Sequence, residues 1–203
     1  TEKDDNKFTF KMPGSKVTVE ASFKLIETEP ENPFTDISKS DYFYDAVLWA
    51  ADKGITSGVT DTLFAPNVSC TRAQMVTFLW RANGSPVVDY AMNFTDVPAD
   101  AYYADAVCWA VSKGITSGTS ATTFAPDMTV TRSQTVTFLY RAAGTLAVSG
   151  GSFADVDANA YYADAVAWAV AEGITSGTSA TTFSPNAPCT RAQIVTFMYR
   201  DAQ

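Results

Sequence analysis

Six arginines at two recurring positions are the residues of this sequence best suited to ligand chemistry. Residues 34–203 contain only nine Lys and Arg, in a chain of net charge −8. Cations confined to equivalent positions of an acidic protein indicate a shared structural or ligand-binding role. One set lies in a T-R-x-Q motif and the other follows nine residues later; the sets are Arg72, Arg132 and Arg191, then Arg81, Arg141 and Arg200.

The motif predicts where the first set lies. T-x-x-Q before an apolar run is typical of a capping box, so Thr71 would cap a helix and Arg72 would be its first residue. A cation there opposes the helix dipole, at a cost of up to about 1 kcal/mol. Free N–H groups, the dipole and the guanidinium would together bind a small anion. The alternative is an arginine paired with a nearby carboxylate, such as that of Asp36.

The second set lies near the C-terminus of the same helix, where the helix dipole favours a cation. These arginines therefore need only a structural explanation. Nine residues at about 100° each amount to a half-turn, so the two arginines of one helix point in opposite directions.

A tryptophan, an aspartate and a glycine also recur once per repeat. A tryptophan at the edge of an apolar stripe packs between repeats or stacks on a sugar. An aspartate after a phenylalanine either binds sugar hydroxyls or caps a loop, and a glycine supplies positive φ or lets a ligand approach the backbone. These residues are Trp49, Trp109 and Trp168; Asp36, Asp96 and Asp155; and Gly58, Gly118 and Gly177.

Internal repetition places all these residues on one kind of unit. The eleven residues 114–124 return letter for letter as 173–183. Each copy reads as helix, loop, helix, with apolar residues at helical spacing and the T-R motif opening the second helix. Ser40, Asp100 and Asn159 are the expected N-caps of the first helices. We therefore predict a mainly α domain over 34–203, with repeats at 34–84, 94–144 and 153–203.

Residues 1–33 differ from the repeats. Phe8–Phe10 and Val17–Phe23 alternate apolar and polar residues around a Pro-Gly turn, which predicts a β-hairpin followed by a linker. The segment resembles the end of a β-rich repeat of Gram-positive surface proteins.

Composition disfavours several classes of function. The chain has no histidine, and its three cysteines form no CxxC pair, so we expect packed thiols and neither a metal nor a cofactor. The acidic charge disfavours nucleic acid as a partner, and no apolar run is long enough for a membrane helix. Beyond residue 33 the only glutamate is Glu172, so the paired carboxylates of a glycosidase are not evident and we expect no enzyme.

The ordered motifs FTD(I/V), YYADAVxWA, GITSG, FxP and TRxQ, present three times, resemble the S-layer homology domain. The resemblance implies three repeats around a pseudo-threefold axis, with the T-R helices in a central bundle and grooves between neighbouring lobes. It also implies that the grooves bind secondary cell-wall polysaccharide, often pyruvylated. The motif arginines would hold the acidic group, and the recurring tryptophans and aspartates would line the grooves.

One departure from the family motif concerns its fourth residue. The family usually has TRAE, whereas this chain carries Gln74, Gln134 and Gln193. Loss of a negative charge beside the arginine should favour an anion or admit a different one. We expect an extracellular, monomeric, non-catalytic module that anchors a protein to the cell wall; the alternative is a protein-binding or self-assembling surface module.

Overall fold

The computed structural model describes residues 2–4, 7–9, 11, 14–16, 18, 31–146 and 153–203. In this part of the chain the structure is mainly helical, as predicted. Its elements are β1 (Glu2–Asp4), β2 (Lys7–Thr9), α1 (Tyr44–Asp52), α2 (Arg72–Ala82), α3 (Ala104–Ser112), α4 (Arg132–Ala142), α5 (Ala163–Ala171) and α6 (Arg191–Asp201).

The capping box starts α2, α4 and α6, as the sequence predicts. In α2 the Thr71 hydroxyl accepts the Gln74 N–H at 3.2 Å, and the Gln74 side-chain oxygen accepts the Thr71 N–H at 3.1 Å. The same reciprocal pair opens α4 and α6. Glutamine thus performs the capping role without adding a charge.

The first helix of each repeat begins later than predicted. Its N-cap is an aromatic residue that makes no side-chain capping bond: Phe43, Tyr103 and Tyr162. The predicted caps Ser40, Asp100 and Asn159 are therefore wrong, because each lies three residues earlier in a turn. An aspartate in the first turn still meets the positive end of each helix dipole.

Helices pack between repeats in a closed ring. The second helix of one repeat packs on the first helix of the next, α2 on α3 and α4 on α5. The last helix, α6, packs on α1, where the Trp49 and Tyr199 rings lie 5.6 Å apart. Each repeat therefore buries its apolar faces against its neighbours, and the two ends of the domain complete one another.

A small ring of backbone hydrogen bonds joins the three repeats at the centre. The Cys70 N–H donates to the Cys189 carbonyl, Cys189 to Val130 and Val130 to Cys70, each at 2.9 Å. All three residues are fully buried. Burial raises the pKa of Cys70 to about 12 and that of Cys189 to about 11, so both are packed thiols, as predicted.

The N-terminal strands pair differently from the predicted hairpin. β1 and β2 are antiparallel, with Glu2 opposite Thr9, so residues 7–9 pair with a segment that precedes them. The predicted partner, 17–23, lies outside the described residues apart from Thr18.

Candidate functional site

Three equivalent grooves open between the repeats, and each is lined by residues of all three repeats. Each contains the T-S-G loop of one repeat, an arginine from the end of that repeat's second helix, a T-R arginine from the preceding repeat and a tyrosine from the following one. Groove 1 has loop 56–59, Arg81, Arg191 and Tyr102; groove 2 has 116–119, Arg141, Arg72 and Tyr161; groove 3 has 175–178, Arg200, Arg132 and Tyr42. Their volumes are about 390, 310 and 300 Å³.

The T-R arginines are buried at the seams between repeats. Arg72 is 3% exposed, and its Nε donates to the Phe124 carbonyl of the next repeat at 2.9 Å. Its guanidinium carbon lies 4.8 Å from the Phe124 ring centroid and 5.4 Å from that of Phe138. Arg132 and Arg191 repeat this arrangement on Phe183 and Phe64. Each arginine thus clamps its repeat to the next through a hydrogen bond and cation–π contacts.

The expected anion site at the free N–H groups of these helices is wrong. The Arg72 N–H donates to the Met128 carbonyl at 2.9 Å, and the Ala73 N–H donates to the Pro126 carbonyl at 3.0 Å. Equivalent bonds satisfy the first N–H groups of α4 and α6. The alternative of an ion pair fails too, since within the described ranges no carboxylate forms a salt bridge with a T-R arginine.

In two of these arginines one terminal guanidinium nitrogen is unpaired within the described part of the chain. Nη2 of Arg72 and of Arg132 is buried with no hydrogen-bond partner among the described residues. Burial lowers the pKa of both side chains, but arginine remains charged at any physiological pH. An unpaired donor on a buried cation costs about 1–3 kcal/mol or more, and a ligand oxygen would remove that cost.

The second arginine set also lines the grooves, which the sequence analysis missed. Arg81 donates from Nη1 to the Ile55 carbonyl at 3.2 Å, and Arg141 and Arg200 make the equivalent bond. The half-turn between Arg72 and Arg81 sends them into different grooves on either side of α2. Each groove therefore holds two guanidinium groups, and none of the described residues that line it carries a carboxylate.

Exposed tyrosines form the rims. Tyr42, Tyr102 and Tyr161 are 67%, 63% and 63% exposed, and each ring meets the next aromatic residue edge-on at 5.0 Å. An aromatic face held in this way suits stacking on a pyranose ring. The doubled aromatic residue before α1, α3 and α5 was the available signal in the sequence.

The tryptophans do not provide the predicted sugar platforms. Trp109 and Trp168 are 3% and 2% exposed, and none of the three tryptophans lines the three grooves. Trp49 packs on Tyr199, and Trp168 lies 5.6 Å from Tyr140 across the α4–α5 contact. Of the two interpretations, the structure supports packing between repeats.

The aspartates act on the loops beneath the grooves. In repeat 2 the Asp96 carboxylate accepts the Phe124 N–H at 2.8 Å and the Ala125 N–H at 2.7 Å. It thereby holds Ala125 at a φ of 57°, a value that a side chain disfavours. Asp36 and Asp155 do the same in their repeats. The loop-capping alternative fits all three, and none lines the three grooves.

The groove glycines are required by both φ and space. Gly118 has a φ of 84°, and a Cβ there would lie 2.5 Å from the Thr123 carbonyl oxygen and 2.6 Å from the Phe94 ring. Gly58 and Gly177 share this geometry, and all three line grooves.

Of the helices in the described ranges, none has the length and apolar character needed to cross a bilayer.

Comparison with known proteins identifies the repeats. The family model described as the S-layer homology domain matches residues 33–76, 93–136 and 152–195. The chain is 36% identical over 169 residues to the surface-layer 125 kDa protein of Lysinibacillus sphaericus, covering 79% of this chain and 14% of that protein. It is 28% identical to an amylopullulanase of Thermoanaerobacterium thermosulfurigenes, covering 84% of this chain and 10% of the enzyme. It is also 28% identical to the exoglucanase XynX of Acetivibrio thermocellus, covering 82% and 16%.

Proposed function

Because the chain belongs to the S-layer homology domain family, it is a cell-surface module for anchoring to the cell wall, and we propose that its grooves bind acidic groups of secondary cell-wall polysaccharide. The ligand proposed for each groove is a carboxylate-bearing sugar, such as a pyruvylated residue. The chain spans between 10 and 16% of the relatives named above, so it is a module of the size that larger proteins carry.

The buried, unpartnered Nη2 atoms of Arg72 and Arg132 carry this proposal. They lie on guanidinium groups that line grooves 2 and 3, and a second arginine lines each groove. A carboxylate between two guanidinium groups forms charge-assisted hydrogen bonds, which are about twice as strong as neutral ones. Residues 74, 134 and 193 are glutamine where the family usually has glutamate, so no carboxylate at these positions opposes the positive charge of the arginines.

The rims supply what a sugar ring needs beside its acidic group. The tyrosine faces stack on C–H-rich surfaces, and the T-S-G loops present hydroxyls and backbone for hydrogen bonds. Grooves that engage successive units of one polymer raise the overall affinity by about 10² or more through effective concentration.

The test is cosedimentation with purified wall sacculi before and after removal of the non-peptidoglycan polymer. We expect the protein to pellet only while the polymer is present and to be released by high salt, which screens exposed charges. Pelleting that survives removal of the polymer would contradict glycan binding and favour the protein-binding or self-assembly alternative.

Variants at exposed groove positions connect this binding to the site. Replacing the rim tyrosines together (Y42S, Y102S and Y161S) should abolish pelleting without loss of the helical circular dichroism signal. The matched control, K53Q with K113Q, removes two surface cations that lie outside the three grooves and should pellet like the parent. Loss of pelleting in the lysine variant would show nonspecific electrostatic attraction, and full pelleting of the tyrosine variant would contradict a role of the groove rims.

The isolated chain is proposed to be a monomer, because α6 packs on α1 of the same chain and so closes the ring. Sedimentation equilibrium at several loading concentrations checks this.

A further inference from the structure

The three grooves are lined by equivalent positions of the repeats but differ in the sequences of their loops. Residues 114–124 and 173–183 are identical, whereas the loop of repeat 1 departs at residues 59, 60, 61 and 63. The loops of grooves 2 and 3 read T-S-A-T-T where the loop of groove 1 reads V-T-D-T-L. Since these residues lie in or beside the grooves, the difference bears on what each groove binds.

Hydroxyl groups cluster on the loops of grooves 2 and 3. On the loop of groove 2, the Thr123 hydroxyl lies 3.0 Å from that of Thr119, which lines the groove, and 2.6 Å from that of Ser120. The same cluster recurs on the loop of groove 3 at 178, 179 and 182, where Thr178 lines the groove. Such adjacent donors and acceptors match the hydroxyls of a sugar.

The loop of groove 1 presents apolar side chains instead. Val59, which lines the groove, and Leu63 replace two of the threonines, and they are 51% and 41% exposed. They offer a sugar neither a donor nor an acceptor.

A carboxylate lies in a cavity beside groove 1. Asp61 lines a cavity of about 550 Å³ that adjoins groove 1 and shares Thr56, Ser57 and Arg81 with it. The equivalent residues of the other repeats are Ala121 and Ala180. A carboxylate in the cavity shared with Arg81 lowers the positive potential that an anion would meet.

The T-R arginine of groove 1 is also hydrogen-bonded differently from those of grooves 2 and 3. Arg191 donates from Nη2 to the Thr56 hydroxyl at 3.4 Å, while the corresponding nitrogens of Arg72 and Arg132 have no partner in the described part of the chain. Groove 1 therefore has less unsatisfied hydrogen-bonding capacity to offer a ligand.

From these differences we infer that grooves 2 and 3 are the strong sites for acidic sugar and that groove 1 is a weak one. The inference rests on the proposed function and makes it specific to two of the three grooves. The loop residues at 59 and 61, and their counterparts at 119, 121, 178 and 180, are the specificity-determining positions. All lie on the exposed loops, so they are exchanged without disturbing the buried arginine clamps.

Reciprocal loop exchange tests this. The first variant, V59T with D61A, gives groove 1 the residues of the other loops at these two positions. The second, T119V and A121D with T178V and A180D, gives grooves 2 and 3 those of groove 1. Acidic oligosaccharide released from the wall polymer is titrated calorimetrically into the parent and into each variant.

The parent should bind two equivalents tightly, and the first variant should bind a third with an affinity raised about two- to fivefold over that of groove 1 in the parent. The second variant should lose affinity in both strong sites by a similar factor. Three equal sites in the parent, or exchanges without effect, would overturn the inference and leave the proposed function intact. A parent that binds neither oligosaccharide nor sacculi would instead refute the proposed function.

Discussion

Arg72 and Asp96 bind the main chain of the same residue, Phe124, from two different repeats. The arginine Nε donates to the Phe124 carbonyl at 2.9 Å, and the aspartate accepts the Phe124 N–H at 2.8 Å. The guanidinium that joins two repeats also forms part of groove 2. Closure of the ring and formation of the groove therefore depend on one contact, which recurs at Arg132 and Arg191.

Removing a clamp arginine should destabilise the domain. Arg72→Ala leaves the Phe124 carbonyl unsatisfied and a cavity between two phenylalanine rings, so we expect a loss of about 2–4 kcal/mol in the free energy of unfolding. Chemical denaturation measures it, with Arg81→Ala as the partly buried comparison expected to lose about 1 kcal/mol. A loss below that of Arg81→Ala would contradict the clamp.

Two glycines with similar φ separate steric crowding from backbone strain. Gly118→Ala would place Cβ 2.5 Å from a carbonyl oxygen, whereas Gly114→Ala, at a φ of 69°, meets nothing within 4 Å. We expect about 1–2 kcal/mol of destabilisation at residue 114 from the left-handed backbone alone, and clearly more at residue 118. Equal losses in thermal unfolding would show that the approach of Phe94 and Thr123 to Gly118 is not restrictive.

Acid should weaken the aspartate contacts. The hydrogen bond from the Phe183 N–H holds the pKa of Asp155 below its ordinary value, despite the opposing effect of desolvation. Because the folded-state pKa is lower than the unfolded one, this stabilisation is complete above about pH 4 and is lost as the pH falls through the folded value. Asp155→Asn should therefore melt below the parent at pH 7 and approach it as the pH falls through the folded value. A gap that is independent of pH would count against an ionised cap.

The ring should not fold when it is left open. A chain ending at residue 146 lacks α5 and α6, which exposes the faces of α4 and α1 that they cover. We expect no cooperative thermal transition by circular dichroism. A full chain cut once near the exposed Val87 keeps all six described helices and should retain the transition. Cooperative unfolding of the truncated chain would show that the repeats fold without closure.

Local signals in the sequence predicted much of this structure. The capping boxes, the helical character and the positive φ of the glycines each depend on a few adjacent residues, and the structure agrees at Thr71, Gln74 and Gly118. The assignment of Arg72 to the first turn was correct for the same reason.

Contacts between repeats could not be predicted in that way. Trp168 packs on a residue of the preceding repeat, and the first N–H groups of α2 donate to carbonyls of the following repeat. The periodicity within one repeat gives no information about such partners. Arg81 and Tyr102 were missed because a groove combines side chains from three repeats, and their convergence depends on how the helices pack.

The most direct test of the central claim is a crystal structure soaked with the acidic oligosaccharide of the wall polymer. We expect a ligand carboxylate within hydrogen-bond distance of Nη2 of Arg72 in groove 2 and of Arg132 in groove 3, with a pyranose ring on Tyr161 and Tyr42. Sugar bound away from these arginines, while both grooves stay open to the crystal solvent, would contradict it.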